Sequence, residues 1–201
     1  MRFFLSSTFI ILIGCTPYPK KMGYDQSTST SVQITNPYFS DADHDYVYKA
    51  GITFFDKQFG GILVIKKIKE NNHRVVFTTE FGNTIFDFSF KDDDFKVNRI
   101  LKEMDRKLLL NILEKDFRSL IKEHITPIDI YKNENKSLIK TQNRSKKYYY
   151  LYESDTLTQI ARIANQKEKV VIKFSKISNN IVDYIQITHS NIKLQIRLTA
   201  I

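Results

Sequence analysis

A series of short strand-like runs, each bounded by turn residues, constrains this chain more than any other feature. From Tyr46 onward four runs rich in β-branched and aromatic residues follow one another: YVYKAGITFF, ILVIKKIK, RVVFTTEF and TIFDFSF. Turn signals separate them at residues 60–61, 70–72 and 80–83, and three aspartates at 92–94 form the turn that ends the fourth run. Loops this short cannot make parallel crossovers, so the runs predict an antiparallel meander.

The last third of the chain has the same character. KKYYYLYE, KVVIKFSKI, NIVDYIQITHS and NIKLQIRLTAI all read as strands. In the last of these, Ile192, Leu194, Ile196 and Leu198 alternate with polar residues, which predicts a half-buried strand with one wet face. Residues 156–166 fit either a short helix or another strand.

One segment, at about residues 101–124, changes to a helical period. Apolar residues recur there at spacings of three and four: Leu110, Leu113, Phe117, Leu120 and Ile121. Pro127 marks the end of this amphipathic helix. We therefore expect a mainly β fold in which one helix covers the concave side of a strongly curved antiparallel sheet of roughly eight to ten strands. The space between helix and sheet is either a packed core or a lipid-sized cavity.

The N-terminus has the features of a secretory signal. Residues 1–2 are a short basic start, and residues 3–13 are mostly apolar but shorter than the ~20 residues that a membrane-spanning helix needs. The run ends in LIGC, which resembles a bacterial lipobox, and Cys15 is the only cysteine of the chain. A lipid on Cys15 explains the cysteine count, its position and the preceding segment together. The alternative is a plain signal peptide with an incidental cysteine.

We expect a signal peptide over residues 1–14, a lipidated cysteine with a flexible tether over 15–45, and a folded domain over 46–201. The tether is rich in Pro, Ser, Thr and Asp and would have a reach of ~30 Å. Part of it could instead be a short helix or a docked arm. Thr16 follows the cysteine where an inner-membrane retention signal would have Asp, which favours the periplasmic face of the outer membrane.

Composition and spacing point away from several classes of function. The formal charge is +9, but the basic residues are spread thinly and form no nucleic-acid motif. The run 41–45 begins like a calcium loop but lacks its glycine and its twelfth-position glutamate. The four histidines have no metal-ligand spacing, and no phosphate loop or nucleophile elbow is present. We expect no enzyme, no metal and no nucleic-acid partner.

Two stretches resemble a known family. RVVFTTEFGNTIFDFSF is similar to a hairpin of the LolB outer-membrane lipoprotein receptors, and IQITHSNIKLQIRL resembles the final hairpin of that family. The resemblance covers residues 46–201 and is specific only in the first hairpin. It implies an incomplete β-barrel of the LolA/LolB type with a helical lid over an apolar, acyl-binding cavity. It also implies a role in receiving acylated lipoprotein cargo and inserting it into the outer membrane, where palmitate-type chains would be bound without any cofactor.

The resemblance assigns roles to individual residues. The family's exposed apolar tip residue falls on Phe81, with Gly82 in the turn, and this loop would help push cargo into the membrane. The alternative is that Phe81 folds back onto the sheet. The candidate acyl-cavity lining is Leu63, Ile65, Phe77, Phe86, Phe88, Leu113 and Phe117. A filled core would leave a non-catalytic scaffold or binding lipoprotein. A monomer is expected, and a LolA-like periplasmic carrier stays an open candidate for a partner.

Overall fold

A computed structural model of the chain describes residues 16–27, 34–143 and 145–201. The helices are α1 (Tyr18–Lys21) and α2 (Lys107–Ile121). The strands are β1 (Asp25–Ser27), β2 (Ile34–Thr35), β3 (Asp45–Phe54), β4 (Lys57–Lys69), β5 (Asn72–Thr78), β6 (Thr84–Lys91), β7 (Asp94–Ile100), β8 (His124–Ile125), β9 (Asp129–Asn133), β10 (Lys136–Asn143), β11 (Lys146–Glu153), β12 (Thr156–Ala164), β13 (Lys167–Ser178), β14 (Ile181–His189) and β15 (Leu194–Ala200).

Most described residues belong to one large antiparallel sheet. Thirteen of the strands assigned above pair in the order β1-β9-β10-β11-β12-β13-β14-β15-β3-β4-β5-β6-β7, and β2 pairs separately with β8. The sheet is curved but does not close into a barrel. After β1, which lies at one edge of the sheet, the chain enters the middle of the sheet at β3 and runs outward to β7 at the other edge. It then crosses through α2 and returns from β9, beside β1, to β15. Antiparallel neighbours and a mainly β fold are therefore confirmed.

Helix α2 lies on the inner face of the sheet, the face that carries Phe86 and Leu198. Leu113, Phe117 and Leu120 of the helix are fully buried there in the main hydrophobic cluster. The expected helix at 101–124 was too long at both ends. Residues 101–105 form a turn in which the Met104 backbone N–H donates to the Leu101 carbonyl, and the chain is extended again at Lys122 because it enters β8.

Two expectations about the strands were wrong, and one segment that the sequence left open is a strand. Gly60 and Gly61 lie inside β4, and the turn before that strand is at residues 55–56. The segment left open at 156–166 is mostly strand β12. The sheet is also larger than expected, because the short runs that become β1, β7, β9 and β10 carry little apolar periodicity of their own.

The described part of the expected tether is docked rather than free. Tyr18 and Tyr24 pack with Tyr149 and neighbours on the outer face of the sheet, and β1 pairs with β9. Further along, Tyr38 and Phe39 are buried in the main cluster. A solvated tether would expose the apolar area of these aromatic side chains to water, whereas docking buries it. The docked-arm alternative is therefore the one that fits residues 16–27 and 34–45.

Gly61 is required by a close approach between β4 and the end of β5. A Cβ built on Gly61 would lie 1.9 Å from the Thr78 carbonyl oxygen, whereas one on Gly60 would meet nothing within 4 Å. We expect Gly61→Ala to lower the free energy of unfolding by about 1–3 kcal/mol or more, since the strands must shift apart. Gly60→Ala is the matched control and should change it by less than about 1 kcal/mol. Urea denaturation of both variants checks this, and equal stabilities would contradict the close approach.

Candidate functional site

The loop between β5 and β6 presents Phe81 to solvent. The Thr79 N–H donates to the Asn83 carbonyl at 2.8 Å, and the Gly82 N–H donates to the Thr79 carbonyl at 2.9 Å. Gly82 has φ +84°, which a glycine adopts without strain. These bonds make a tight turn whose outermost side chain is Phe81, 94% exposed. The alternative in which Phe81 folds back onto the sheet is therefore excluded, while its role in membrane insertion stays a prediction.

The seven residues expected to line an acyl cavity all lie at the interface of α2 with β4, β5 and β6. Each of them is 0% exposed, and all belong to one hydrophobic cluster. The Phe86 ring stacks on Phe88 at 4.3 Å and lies 5.7 Å from Phe117 of the helix. The sequence thus brings the right residues together, but in this structure they contact one another as a packed core, as in the filled-interior alternative. Their acyl-binding role stays a prediction.

An N-terminal arm, residues 34–44, adds two aromatic side chains to this interior. The Tyr38 hydroxyl donates to the Leu157 carbonyl at 2.6 Å, and its ring lies 4.9 Å from Phe174. Burial raises the pKa of Tyr38 to about 12. The Phe39 ring packs edge-on against Tyr46 at 5.0 Å. Sequence reasoning missed both residues, although an aromatic pair inside a polar segment is a signal that could have found them.

Polar contacts fasten the arm to the C-terminal end of α2, to the residue Glu123 that follows it, and to strand β4. Asn36 is fully buried; its side-chain amide donates to the Leu120 carbonyl at 3.0 Å, and its backbone N–H donates to the Glu123 carbonyl at 2.8 Å. Lys67 Nζ donates to the Ser40 carbonyl at 2.9 Å and lies 2.6 Å from Glu123 Oε2. These contacts hold the polypeptide on both sides of Tyr38 and Phe39.

His73 of β5 belongs to the same group of contacts, here named the clasp: Asn36, Lys67, His73 and Glu123. His73 Nε2 lies 2.9 Å from the Phe39 carbonyl and 3.8 Å from Glu123 Oε1. Burial lowers the pKa of His73, and the smaller opposing effects of the Phe39 carbonyl and Glu123 do not compensate. The neutral ring, with its proton on Nε2, therefore donates to the arm. No local pattern links these residues, since they are far apart in the sequence.

A second buried polar pair ties the middle of α2 to β14. His189 Nε2 lies 2.9 Å from Asp116 Oδ2, and His189 Nδ1 lies 3.0 Å from the Leu194 carbonyl. Both side chains are 2% exposed or less. Burial raises the pKa of Asp116, although the neighbouring His189 lowers it in part. The pair fixes the helix against the turn between β14 and β15.

Two cavities open near the ends of the helix, and a very small one lies beneath its middle, beside Asp116 and Ile160. One of about 230 Å³ lies at its C-terminal end, beside His73, Arg118 and Glu123. Another, an open groove, lies between Phe55, Leu108 and the β14–β15 turn. The seven expected lining residues line neither of these two spaces. Among the described residues no group of three or more His, Cys, Asp or Glu side chains could hold a metal ion.

The proposed lipid anchor and the family resemblance have no counterpart among the contacts described above. Cys15 lies outside the described residues. No helix within the described ranges is long and apolar enough to cross a membrane. No protein-family model matches the sequence, and no curated protein matches it.

Phe81 and Phe86 should respond oppositely to truncation. We expect Phe81→Ala to leave the free energy of unfolding within about 0.5 kcal/mol of wild type, because the side chain contacts mainly water. Phe86→Ala, the matched buried control in the next strand, should cost about 3–5 kcal/mol. Chemical denaturation measures both. A large loss for Phe81→Ala would mean that the tip packs on the domain in solution.

The neutral His73 should make stability depend on pH. Because the folded-state pKa is lowered, the unfolded chain binds the proton first as the pH falls through about 6.5, and the unfolding free energy drops at up to about 1.4 kcal/mol per pH unit. His73→Gln keeps a donor for the Phe39 carbonyl but cannot titrate. Urea denaturation at pH 7.5 and 5.5 should give a smaller decrease for this variant. An equal decrease in both proteins would contradict the assignment to His73.

Proposed function

We propose that this chain is a lipid-anchored, LolB-like protein of the outer membrane that binds acyl chains and helps insert lipoproteins. Cys15 would carry the anchor on the periplasmic face. The acyl chains would lie between α2 and the inner face of β4, β5 and β6, and Phe81 would enter the bilayer interface. No covalent chemistry and no cofactor take part.

The observation that carries this proposal is the position of Phe81. A phenylalanine that is 94% exposed forgoes about 1.5–3 kcal/mol of burial, which a bilayer interface would restore. It lies in a tight loop directly between the two strands that bring Phe77 and Phe86 to the interior. Only a few residues therefore separate the exposed apolar tip from the apolar interior. Transfer of an acyl chain from protein to membrane would need the two to be this close.

Burial in an apolar interior would stabilise an acyl chain. A chain of about 16 carbons gains roughly 12 kcal/mol on leaving water, at ~0.8 kcal/mol per methylene. Cargo would move toward whichever site buries its chains best, so transfer needs no energy source at this protein. The curved, open antiparallel sheet covered by one helix is compatible with the incomplete barrel of the LolA/LolB type.

A second function is favoured by the packed interior. The seven proposed lining residues are fully buried by one another and by α2. A tethered scaffold or binding lipoprotein with this fold would have such a core. Uptake of an acyl chain distinguishes the two functions.

The test measures uptake and delivery of a diacylated peptide by the full-length chain. Native mass spectrometry should detect a stoichiometric adduct with the wild type and with Phe81→Glu. Transfer of the peptide to phospholipid vesicles should fall about tenfold or more for Phe81→Glu, equivalent to at least ~1.4 kcal/mol of lost interfacial burial. Phe81→Leu is the apolar control and should retain delivery.

The outcomes separate the parts of the proposal. Adduct formation with equal delivery by Phe81→Glu would remove the loop from the mechanism. Absence of an adduct with every chain would leave the scaffold function. The anchor is checked by palmitate labelling in cells, which Cys15→Ala should abolish; a labelled Cys15→Ala chain would contradict lipidation at this residue.

A further inference from the structure

We infer that Tyr38 and Phe39 of the N-terminal arm are an intramolecular plug, and that an incoming acyl chain takes the space that these two side chains occupy. This inference rests on the proposed function, because it assigns the step by which the packed interior becomes an acyl-binding site. The ligand is a saturated acyl chain of a lipoprotein or fatty acid.

The two side chains occupy the inner face of the sheet. Tyr38 is 1% and Phe39 0% exposed, and both belong to the hydrophobic cluster that contains all seven proposed lining residues. Tyr38 contacts Phe174 of β13, while Phe39 lies against Tyr46 and 6.3 Å from Tyr48 of β3. These strands are separated by β14 and β15 in the sheet. The arm therefore spans the inner face over three interstrand spacings, about 14 Å.

The arm does not belong to the framework of the sheet. Residues 36–44 form no strand, and the adjoining β2 pairs with β8 over only two residues. The sheet runs without interruption from β9 to β7 beside it. Removing Tyr38 and Phe39 from the interior thus breaks no ladder of the large sheet.

Non-covalent contacts retain the arm, and each can be replaced once the arm moves. Water and ions can replace the hydrogen bonds and the ion pair of the clasp, together with the bond from the Tyr38 hydroxyl to the Leu157 carbonyl. An acyl chain would replace the apolar contacts of the Tyr38 and Phe39 rings. Phe39 also has φ +61°, in the left-handed region that a phenylalanine adopts only under constraint from its surroundings. Release of the arm relieves this backbone strain. A segment held by polar contacts and a strained residue suits a plug better than a permanent part of the core.

A disulfide that locks the arm tests the inference. Thr35 and His124 are Cα partners across β2 and β8, at the spacing of about 4.5–5.5 Å that a disulfide can bridge. The full chain with Cys15→Ala has no other thiol, so Thr35→Cys with His124→Cys can form one defined bond. A fluorescent 18-carbon fatty acid is the probe, displaced by a diacylated peptide. We expect the oxidised protein to bind the probe about tenfold more weakly than the same protein after reduction.

The matched control places a disulfide away from the interior. Asp25 and Lys132 are exposed Cα partners across β1 and β9. Asp25→Cys with Lys132→Cys, in the same Cys15→Ala chain, should bind the probe equally when oxidised and reduced. Equal probe binding by the oxidised and reduced forms of the locked arm would overturn the plug while leaving acyl binding in place. No probe binding by any form would overturn the proposed function itself.

Truncation of the Phe39 side chain is an independent test if the disulfide-locked protein does not fold. Phe39→Ala should raise the affinity for the probe about tenfold, because a weakened plug is displaced more readily. Phe54→Ala removes an equally large buried side chain from the far end of β3 and should not raise it. A lower melting temperature for Phe39→Ala with no gain in probe binding would show that Phe39 is ordinary core.

Discussion

The pairing of β15 with β3 is the contact on which the rest of the structure depends. It joins the last strand to the first strand of the meander, from Leu194 opposite Phe54 to Ala200 opposite Tyr48. Without it the two halves would be separate meanders, each with one exposed apolar face. With it the sheet becomes continuous and curves around α2, so that both halves bury their apolar faces together. Pairing β15 with β3 closes a long loop of the chain, which costs conformational entropy. This cost is offset only when the whole interior forms.

Buried polar groups then determine where the elements lie on this apolar face. The Asp116–His189 pair fastens the middle of α2 to β14, and the clasp fastens its C-terminal end to the arm. Hydrophobic packing is non-directional and would allow a helix to slide along an apolar surface. A buried hydrogen-bonding group is costly in any other register, so these few residues select one position.

The same pair of strands carries buried phenylalanines in the interior and an exposed phenylalanine in the connecting loop. Strands β5 and β6 bury Phe77 and Phe86 fully, and the turn between them exposes Phe81 almost fully. Alternation in a strand explains burial on one face, but it does not explain a large apolar side chain at the end of a tight turn. The arm adds a further condition, because Tyr38 and Phe39 share the interior with the residues proposed to bind acyl chains. In the proposed function, an acyl chain would take the place of Tyr38 and Phe39 in this interior.

The sequence alone determined what depends on neighbours along the chain. Period two gave β15 its buried Leu194, Ile196 and Leu198, period 3.6 gave α2 its apolar face, and the short polar turns made the strands antiparallel. The faces of the seven interior residues were predictable for the same reason. Only the tertiary structure decided that Gly61 must lack a side chain, that the arm docks, and that the interior is packed. These outcomes depend on which distant surfaces meet, and local periodicity contains no information about contacts between residues far apart in the chain.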